Sequence, residues 1–430
     1  MKRLAFLGLI LLVAVSGFAD KKKFDILYFV GGMGESANFA VEMLKAKHPD
    51  VEFTLDYNHK AQDVLRNKMM AGDPPDIAHV NQGLFDYYGA IAEGLLEPID
   101  FLYDSPTLDG KQKMRDIFFK SDIDSSGFVG GKHYLVPEVA YLGGMWYSDK
   151  LVKKLGIKVP ATWDEFMAAC KKFKQAGIAP FGYNGQFAHE YPMNYFFFPM
   201  LDEMNHQAYV DIQNLKPDAW KAPAVREALQ RIVYMRDQGY IWPPSTTASV
   251  EVQQEFTKST IGFIPVGSWL YAEMLDSWPA DFDLKFFPVP GKKTASGTNL
   301  IPSILLRGSV PKPLRNKDLV VEYYQYLMND KGSVSKNIKA NQFIMPIKGF
   351  ADNFGSLLPP AVNSAVSAVA KNGLDSNMWS LWYSTLPVEA GNAFNALVSG
   401  NQTVDDFINR MTDATKKVLD DSSIAKYSFQ

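Results

Sequence analysis

Between Phe24 and Val80 the chain alternates short apolar runs with amphipathic stretches, and this alternation restricts its fold more than any other feature. Phe24-Asp25-Ile26-Leu27-Tyr28-Phe29-Val30 is almost continuously apolar, as expected of a strand covered on both faces. Apolar residues then recur at Ala37, Ala40, Val41 and Leu44, the i, i+3, i+4, i+7 spacing of a helix with one buried stripe. Residues 51–57 and 76–80 read as two further strands. The polar helix between them stops near Met70, where Gly72-Asp73-Pro74-Pro75 cannot continue it. Strand, helix, strand, helix, strand implies parallel strands joined by right-handed crossovers, so the expected class is α/β.

A chain of 430 residues exceeds the roughly 250–300 that one core supports, so two lobes are expected. No solenoid repeat or low-complexity linker divides the sequence, which fits lobes joined by segments that cross a hinge several times. The crossing candidates are residues 130–148, 286–306 and 341–347. They place lobe 1 at 20–137 with 303–345, and lobe 2 at 138–302 with 346–430. Within lobe 2, Thr162-Trp163-Asp164-Glu165 after Pro160 has capping-box spacing, and Gly177 is the expected helix stop.

Met1-Lys2-Arg3, the apolar run from Leu4 to Phe18 and the small residues around Ala19 have the order of a secretory leader. The run is shorter than the ~20 residues a spanning helix needs. Cleavage after about Ala19 and a free periplasmic product are expected, with no cysteine near the cleavage point to carry a lipid. The single Cys170 excludes an internal disulfide or a cysteine metal site, and its place on an apolar helix face reads as a buried thiol. With 44 basic and 47 acidic residues, formal net charge −3, the chain has no basic tract for nucleic acid or anionic lipid.

Catalytic signatures are sparse: there is no G-x-S-x-G, H-E-x-x-H or G-x-x-x-x-G-K-[ST]. Gly32-x-Gly34-x-x-Ala37 follows a strand and opens a helix, with Asp56 ending the next strand, which is the outline of a dinucleotide fingerprint. An exported NAD(P)-dependent oxidoreductase is therefore one alternative, and a glycoside hydrolase using a carboxylate pair is another. The same loop, with Gly32, Met33 and Glu35, reads more simply as a ligand-facing turn whose N–H groups open a helix. Tyr323-Tyr324 has the adjacent-tyrosine pattern of ferric-ion binders, but its helical surroundings (Leu319, Val320, Leu327) favour core packing.

Sugar sites combine flat aromatic faces with carboxylates and amides. Trp269 directly follows the strand 261–266, where open α/β sheets bind ligands; Trp379, Trp382 and Tyr383 form a second cluster. Over essentially its whole mature length the chain resembles the family 1 extracellular solute-binding proteins of carbohydrate ABC importers. The resemblance rests on an ordered set of segments: Ala71-Gly72-Asp73-Pro74-Pro75-Asp76-Ile77, Gly131-Lys132-His133-Tyr134-Leu135-Val136-Pro137, Gly144-Met145-Trp146-Tyr147-Ser148-Asp149-Lys150-Leu151, Pro160-Ala161-Thr162-Trp163-Asp164-Glu165-Phe166, Gly267-Ser268-Trp269 and Phe287-Pro288-Val289-Pro290-Gly291. Gly31-Gly32-Met33-Gly34, Ala176-Gly177-Ile178-Ala179-Pro180-Phe181 and Trp220-Lys221-Ala222-Pro223-Ala224-Val225 look like the N-acetylglucosamine/diacetylchitobiose branch.

The resemblance implies a hinged two-lobed periplasmic binding protein fold and a monomeric receptor without cofactor, metal or catalysis. Its implied partners are a small carbohydrate and inner-membrane ABC permease subunits. It assigns polar contacts to Asn81 and Gln82, although Gly83 stands where the family often has an aspartate. Glu138 and Tyr141 are assigned from the hinge, and Gln186, Glu190 and Tyr191 from the second lobe. Trp269 is the expected stacking platform, with Trp379 or Trp382 as a second.

Overall fold

The computed structural model describes residues 21–30, 35–80, 85–243, 248–291, 301–372, 374–375, 378–383 and 385–428. The expected leader, and the expected ligand residues Gly32, Met33, Asn81 and Gln82, lie outside them. The principal strands are β1 (Lys22–Phe29), β2 (Val51–Asn58), β3 (Ile77–His79), β4 (Leu135–Ser148), β5 (Ala179–Gly182), β6 (Ile241–Trp242), β7 (Ile261–Gly267), β8 (Leu284–Phe287) and β9 (Ile301–Ser309). Their order is β2-β1-β3-β9-β4-β7-β5-β6, with β8 also on β4. The β1/β2, β1/β3, β5/β6 and β5/β7 pairs are parallel, as the strand–helix alternation requires.

β4 organises the two lobes. All of its 14 residues are buried, yet its partners change midway. Leu135 to Leu142 pair with β9, and Gly143 to Tyr147 pair with β7. The exchange falls on two glycines for steric reasons. A Cβ on Gly143 would lie 1.9 Å from the Tyr195 ring, and one on Gly144 (φ +153°) 2.5 Å from the Phe286 ring. Two further crossings run beside β4: β9, and a segment in which Ile344 bridges Ala140 and Ile347 bridges Phe118.

Register fixes which strand ends face each other. β3 runs antiparallel to β9, which runs antiparallel to β4, so the C-terminal end of β3 points along β4 towards Gly143. β7 runs antiparallel to β4 from the other side, so its C-terminal Gly267 also arrives at Gly143. The C-terminal ends of both parallel sets therefore converge on the middle of β4, the position where open α/β sheets bind ligands.

Lobe 1 packs Phe24, Ile26 and Tyr28 of β1 against Val41 and Leu44 of helix Asn38–Lys47 and Val320, Tyr323 and Tyr324 of helix Lys317–Met328. Tyr323 and Tyr324 are fully buried, which agrees with the core reading. Lobe 2 has an aromatic core: Phe263 meets Phe173 edge-on at 5.0 Å and Phe287 at 5.1 Å. Cys170 is buried there and burial pushes its thiol up. Helix Trp163–Gln175 begins as its sequence suggests, with Thr162 Oγ1 accepting from Glu165 N. The return arm differs: Glu165 Oε2 accepts from Ala161 N at 2.8 Å, one residue before the cap. Gly177, at φ +75°, follows the helix end.

Candidate functional site

The Ser268–Trp269 corner presents its ring at the convergence point. The Trp269 ring folds back over Gly267, where a Cβ would sit 2.1 Å from Cζ3. Three tyrosines surround it. Tyr141 of β4 meets it edge-on at 5.1 Å, and Tyr191 and Tyr195 lie at 5.6 and 5.8 Å. The last two come from one unusual turn, the π-helical His189–Phe197, where Met193 N donates to Ala188 O. The wider π-turn accommodates Pro192 and stacks the Tyr191 and Tyr195 rings 6.0 Å apart; such turns concentrate at functional sites.

Acceptors rim this wall. Glu190 is partly accessible and lies 3.5 Å from Tyr195 Oη. Burial pushes its carboxyl up to about 7, with the neighbouring Glu273 charge adding to the rise. Glu273 stands one helical turn after Trp269, and its backbone N donates to Trp269 O at 2.9 Å. It is solvent-exposed as a residue, while partial burial of its carboxyl by neighbouring protein raises it. Gln253 Nε2 donates to Glu273 Oε2 at 3.2 Å, while the buried Gln253 Oε1 has no partner. Gln186 is exposed, and its Oε1 accepts from Ser249 N.

Of the residues expected from sequence, the structure thus brings together Tyr141, Glu190, Tyr191 and Trp269, with Gln186 beside them. It moves others away. Glu138 is 1 % exposed and serves as an internal acceptor: Tyr28 Oη donates at 2.5 Å, His79 Nδ1 at 2.9 Å and Tyr324 Oη at 3.0 Å. These bonds tie β1, β3 and helix Lys317–Met328 to the hinge strand, so the carboxylate is committed to the protein. Glu35 is exposed, accepts from Asn38 Nδ2 and lines a 290 Å³ groove with Asn38, Val41, Glu42, Lys45, Leu55 and Tyr57. That groove shares no residue with the aromatic wall.

The two tryptophans of helix Trp379–Trp382 separate cleanly. Trp379 is 1 % exposed and packs on Phe198 and Trp220 in the lobe 2 core. Trp382 is partly exposed and stacks on Tyr427 at 5.5 Å; Tyr427 also meets Tyr88 of lobe 1 edge-on at 4.8 Å. Residues missed in the sequence include Tyr195, Gln253 and Glu273. The i, i+4 spacings of Tyr191 with Tyr195 and of Trp269 with Glu273 were the available signal. Among the described residues no group of three or more His, Cys, Asp or Glu could hold a metal, and no helix is long and apolar enough to cross a membrane.

Comparison with known proteins adds the family. A multiple sugar-binding protein of Streptococcus mutans serotype c is 23% identical over 361 residues, 82% of this chain and 80% of its own. A chitin oligosaccharide binding protein superposes with a TM-score of 0.72 at 20% identity, covering 93% of this chain and 99% of that one. The solute receptor AcbH, described as preferring β-D-galactopyranose, gives 0.74 at 16%, with the same coverage. At such identities these structures speak for the fold, which is the two-lobed α/β fold of periplasmic binding proteins. Residues 32–334 match the model for bacterial extracellular solute-binding proteins. The oxidoreductase and glycosidase alternatives give way to that match. The chain belongs to the bacterial extracellular solute-binding protein family, whose members are receptors and not enzymes.

Proposed function

We propose that the protein is the periplasmic substrate-binding component of a carbohydrate ABC importer, capturing a mono- or oligosaccharide by hinge closure. The observation that carries this reading is the wall of Tyr141, Tyr191 and Tyr195 around Trp269, rimmed by Glu190 and Glu273, with the buried Gln253 behind Glu273. Trp269 and Tyr191, the less buried of these rings, would take the C–H faces of a sugar, and Glu190 and Glu273 would take its hydroxyls. The names of the relatives agree with this, and the chitin oligosaccharide neighbour, with the segments quoted above, supports N-acetylglucosamine or chitobiose. Trp382 is the better second platform, because Trp379 has no free face.

The lobes at 20–137 with 303–345 and at 138–302 with 346–430 would close about the crossings beside β4. Asn81, Gln82, Gly32 and Met33 would meet the ligand from lobe 1. Only a ligand with higher affinity for the closed state shifts the equilibrium. The closed monomer would then dock on the permease subunits. A thermal-shift screen against a sugar panel, followed by calorimetry, tests this: saturable heat with ligand recovered unchanged is expected. Turnover of a glycoside would overturn it in favour of a hydrolase.

A further inference from the structure

Residues 421–428 bridge the two lobes through a single ring. They follow helix Val404–Asp420, which packs in the lobe 2 core. Ile424 and Tyr427 are half-buried against that core, while the other residues of the segment are exposed. Tyr427 N donates to Tyr383 Oη at 3.1 Å, and the Tyr427 ring stacks on Trp382 at 5.5 Å and 25°. A further contact leaves the lobe: Tyr88 meets the Tyr427 ring edge-on at 4.8 Å. Tyr88 lies on helix Tyr87–Ala92 of lobe 1 and is 6 % exposed. Leu381, next to Trp382, approaches the same helix and lines one small cavity with Phe85, Tyr87, Tyr88 and Arg307.

The side of the hinge on which this bridge lies follows from β3. Val80 N, just past the carboxyl end of that strand, donates to Tyr87 Oη at 3.3 Å, and Tyr87 Oη donates to Arg307 O at 3.0 Å. Tyr88 therefore stands at the carboxyl end of β3, the end that points towards Gly143 and the aromatic wall. An interlobe contact on that side is made when the lobes close and lost when they part, so it favours the closed state.

We propose that Tyr427 is a clasp: its ring, held on Trp382 of lobe 2 and met by Tyr88 of lobe 1, stabilises closure and so sets the affinity and release of sugar without choosing which sugar binds. The inference rests on the hinged-receptor reading above and adds the element that biases its closing equilibrium. An aromatic pair of this kind is enough to shift that equilibrium about two- to tenfold.

The test compares the parent with Tyr427→Ala and Tyr427→Phe by calorimetry and stopped-flow release, using N-acetylglucosamine, chitobiose, galactose and maltose. Tyr427→Ala should weaken every sugar that binds by the same factor, about two- to tenfold, mainly through faster release. Tyr427→Phe keeps the ring and should match the parent. Spin labels, one on each lobe, read the same equilibrium without ligand, and the short-distance population should fall in Tyr427→Ala. Tighter binding in Tyr427→Ala would show a segment that competes with sugar for Trp382, and a loss confined to particular sugars would make Tyr427 a ligand contact. Either result, or unchanged affinities and distances, would overturn the inference while leaving the carbohydrate reading intact. If none of these sugars binds, the carbohydrate reading falls, and the label distances alone decide for or against the clasp.

Discussion

Replacing Glu138 separates a ligand-facing carboxylate from a structural one. Its side chain accepts from Tyr28, His79 and Tyr324, all buried. Burial, with the Glu138 charge adding to it, raises both tyrosine hydroxyls well above their usual range, so they act as neutral donors. A hydrogen bond to a charged acceptor contributes about 1.5–3 kcal/mol, and an orphaned buried donor costs a comparable amount. Glu138→Ala orphans three donors. Water entering the space recovers part of the loss, leaving about 4–6 kcal/mol. That is a large share of the 5–15 kcal/mol typical of a folded domain. At about 2–4 °C per kcal/mol for a lobe of this size, lobe 1 should melt on the order of 10–20 °C lower. Glu138→Gln keeps the shape but turns an amide N–H₂ towards a donor, and should cost about 2 kcal/mol. Urea and thermal unfolding, followed by near-UV circular dichroism, read both values. A Glu138→Ala protein melting within about 2 °C of the parent, yet binding sugar tenfold more weakly, would refute the internal-acceptor argument and restore this residue to the ligand.

Three other outcomes follow from the same geometry. Trp269→Ala should weaken sugar affinity by about 10–100-fold through loss of the stacking face, and retained affinity in calorimetry would contradict its placement. Glu190 is raised from 4.5 to about 7, so the folded state holds its proton more tightly than the unfolded chain does. Its stabilising contribution is complete below about pH 4.5 and fades as pH rises through about 7, by roughly 2 kcal/mol after its partial exposure is allowed for. Urea titrations at pH 5 and 8 should show this loss in the parent, and Glu190→Gln should remove it. Gly143→Ala would drive a methyl into the Tyr195 ring, costing about 1–3 kcal/mol and displacing the Tyr195–Trp269 contact. A variant with unchanged melting and unchanged tryptophan fluorescence would show that the hinge has room.

Local pattern carried much of the molecule. The apolar runs and 3.6-residue spacings in residues 24–80 define β1, β2 and the helix between them, because those elements bury faces set by neighbours a few residues away. The Thr162 cap and the Gly177 stop are likewise local. The place of Trp269 at the convergence followed from its position just past a strand end, whereas Tyr191 came only with the family resemblance.

Roles set by distant partners were not legible. Glu138 looked like a hinge carboxylate open to ligand, but its donors lie 59, 110 and 186 residues away, and no spacing announces them. Trp379 and Trp382 occupy one helical turn with equivalent sequence surroundings. Phe198 and Trp220 cover the first, while Tyr427 meets the second beside lobe 1. Glu190 beside Tyr195, and Gln253 bonded to Glu273, meet around Trp269 through β4 and β7 converging with the π-helical turn. The sequence therefore determined which segments are strands and helices, and which chemistry was available. Only the tertiary structure decided which polar groups are satisfied by the protein and which are left open, because satisfaction depends on neighbours in space and not along the chain.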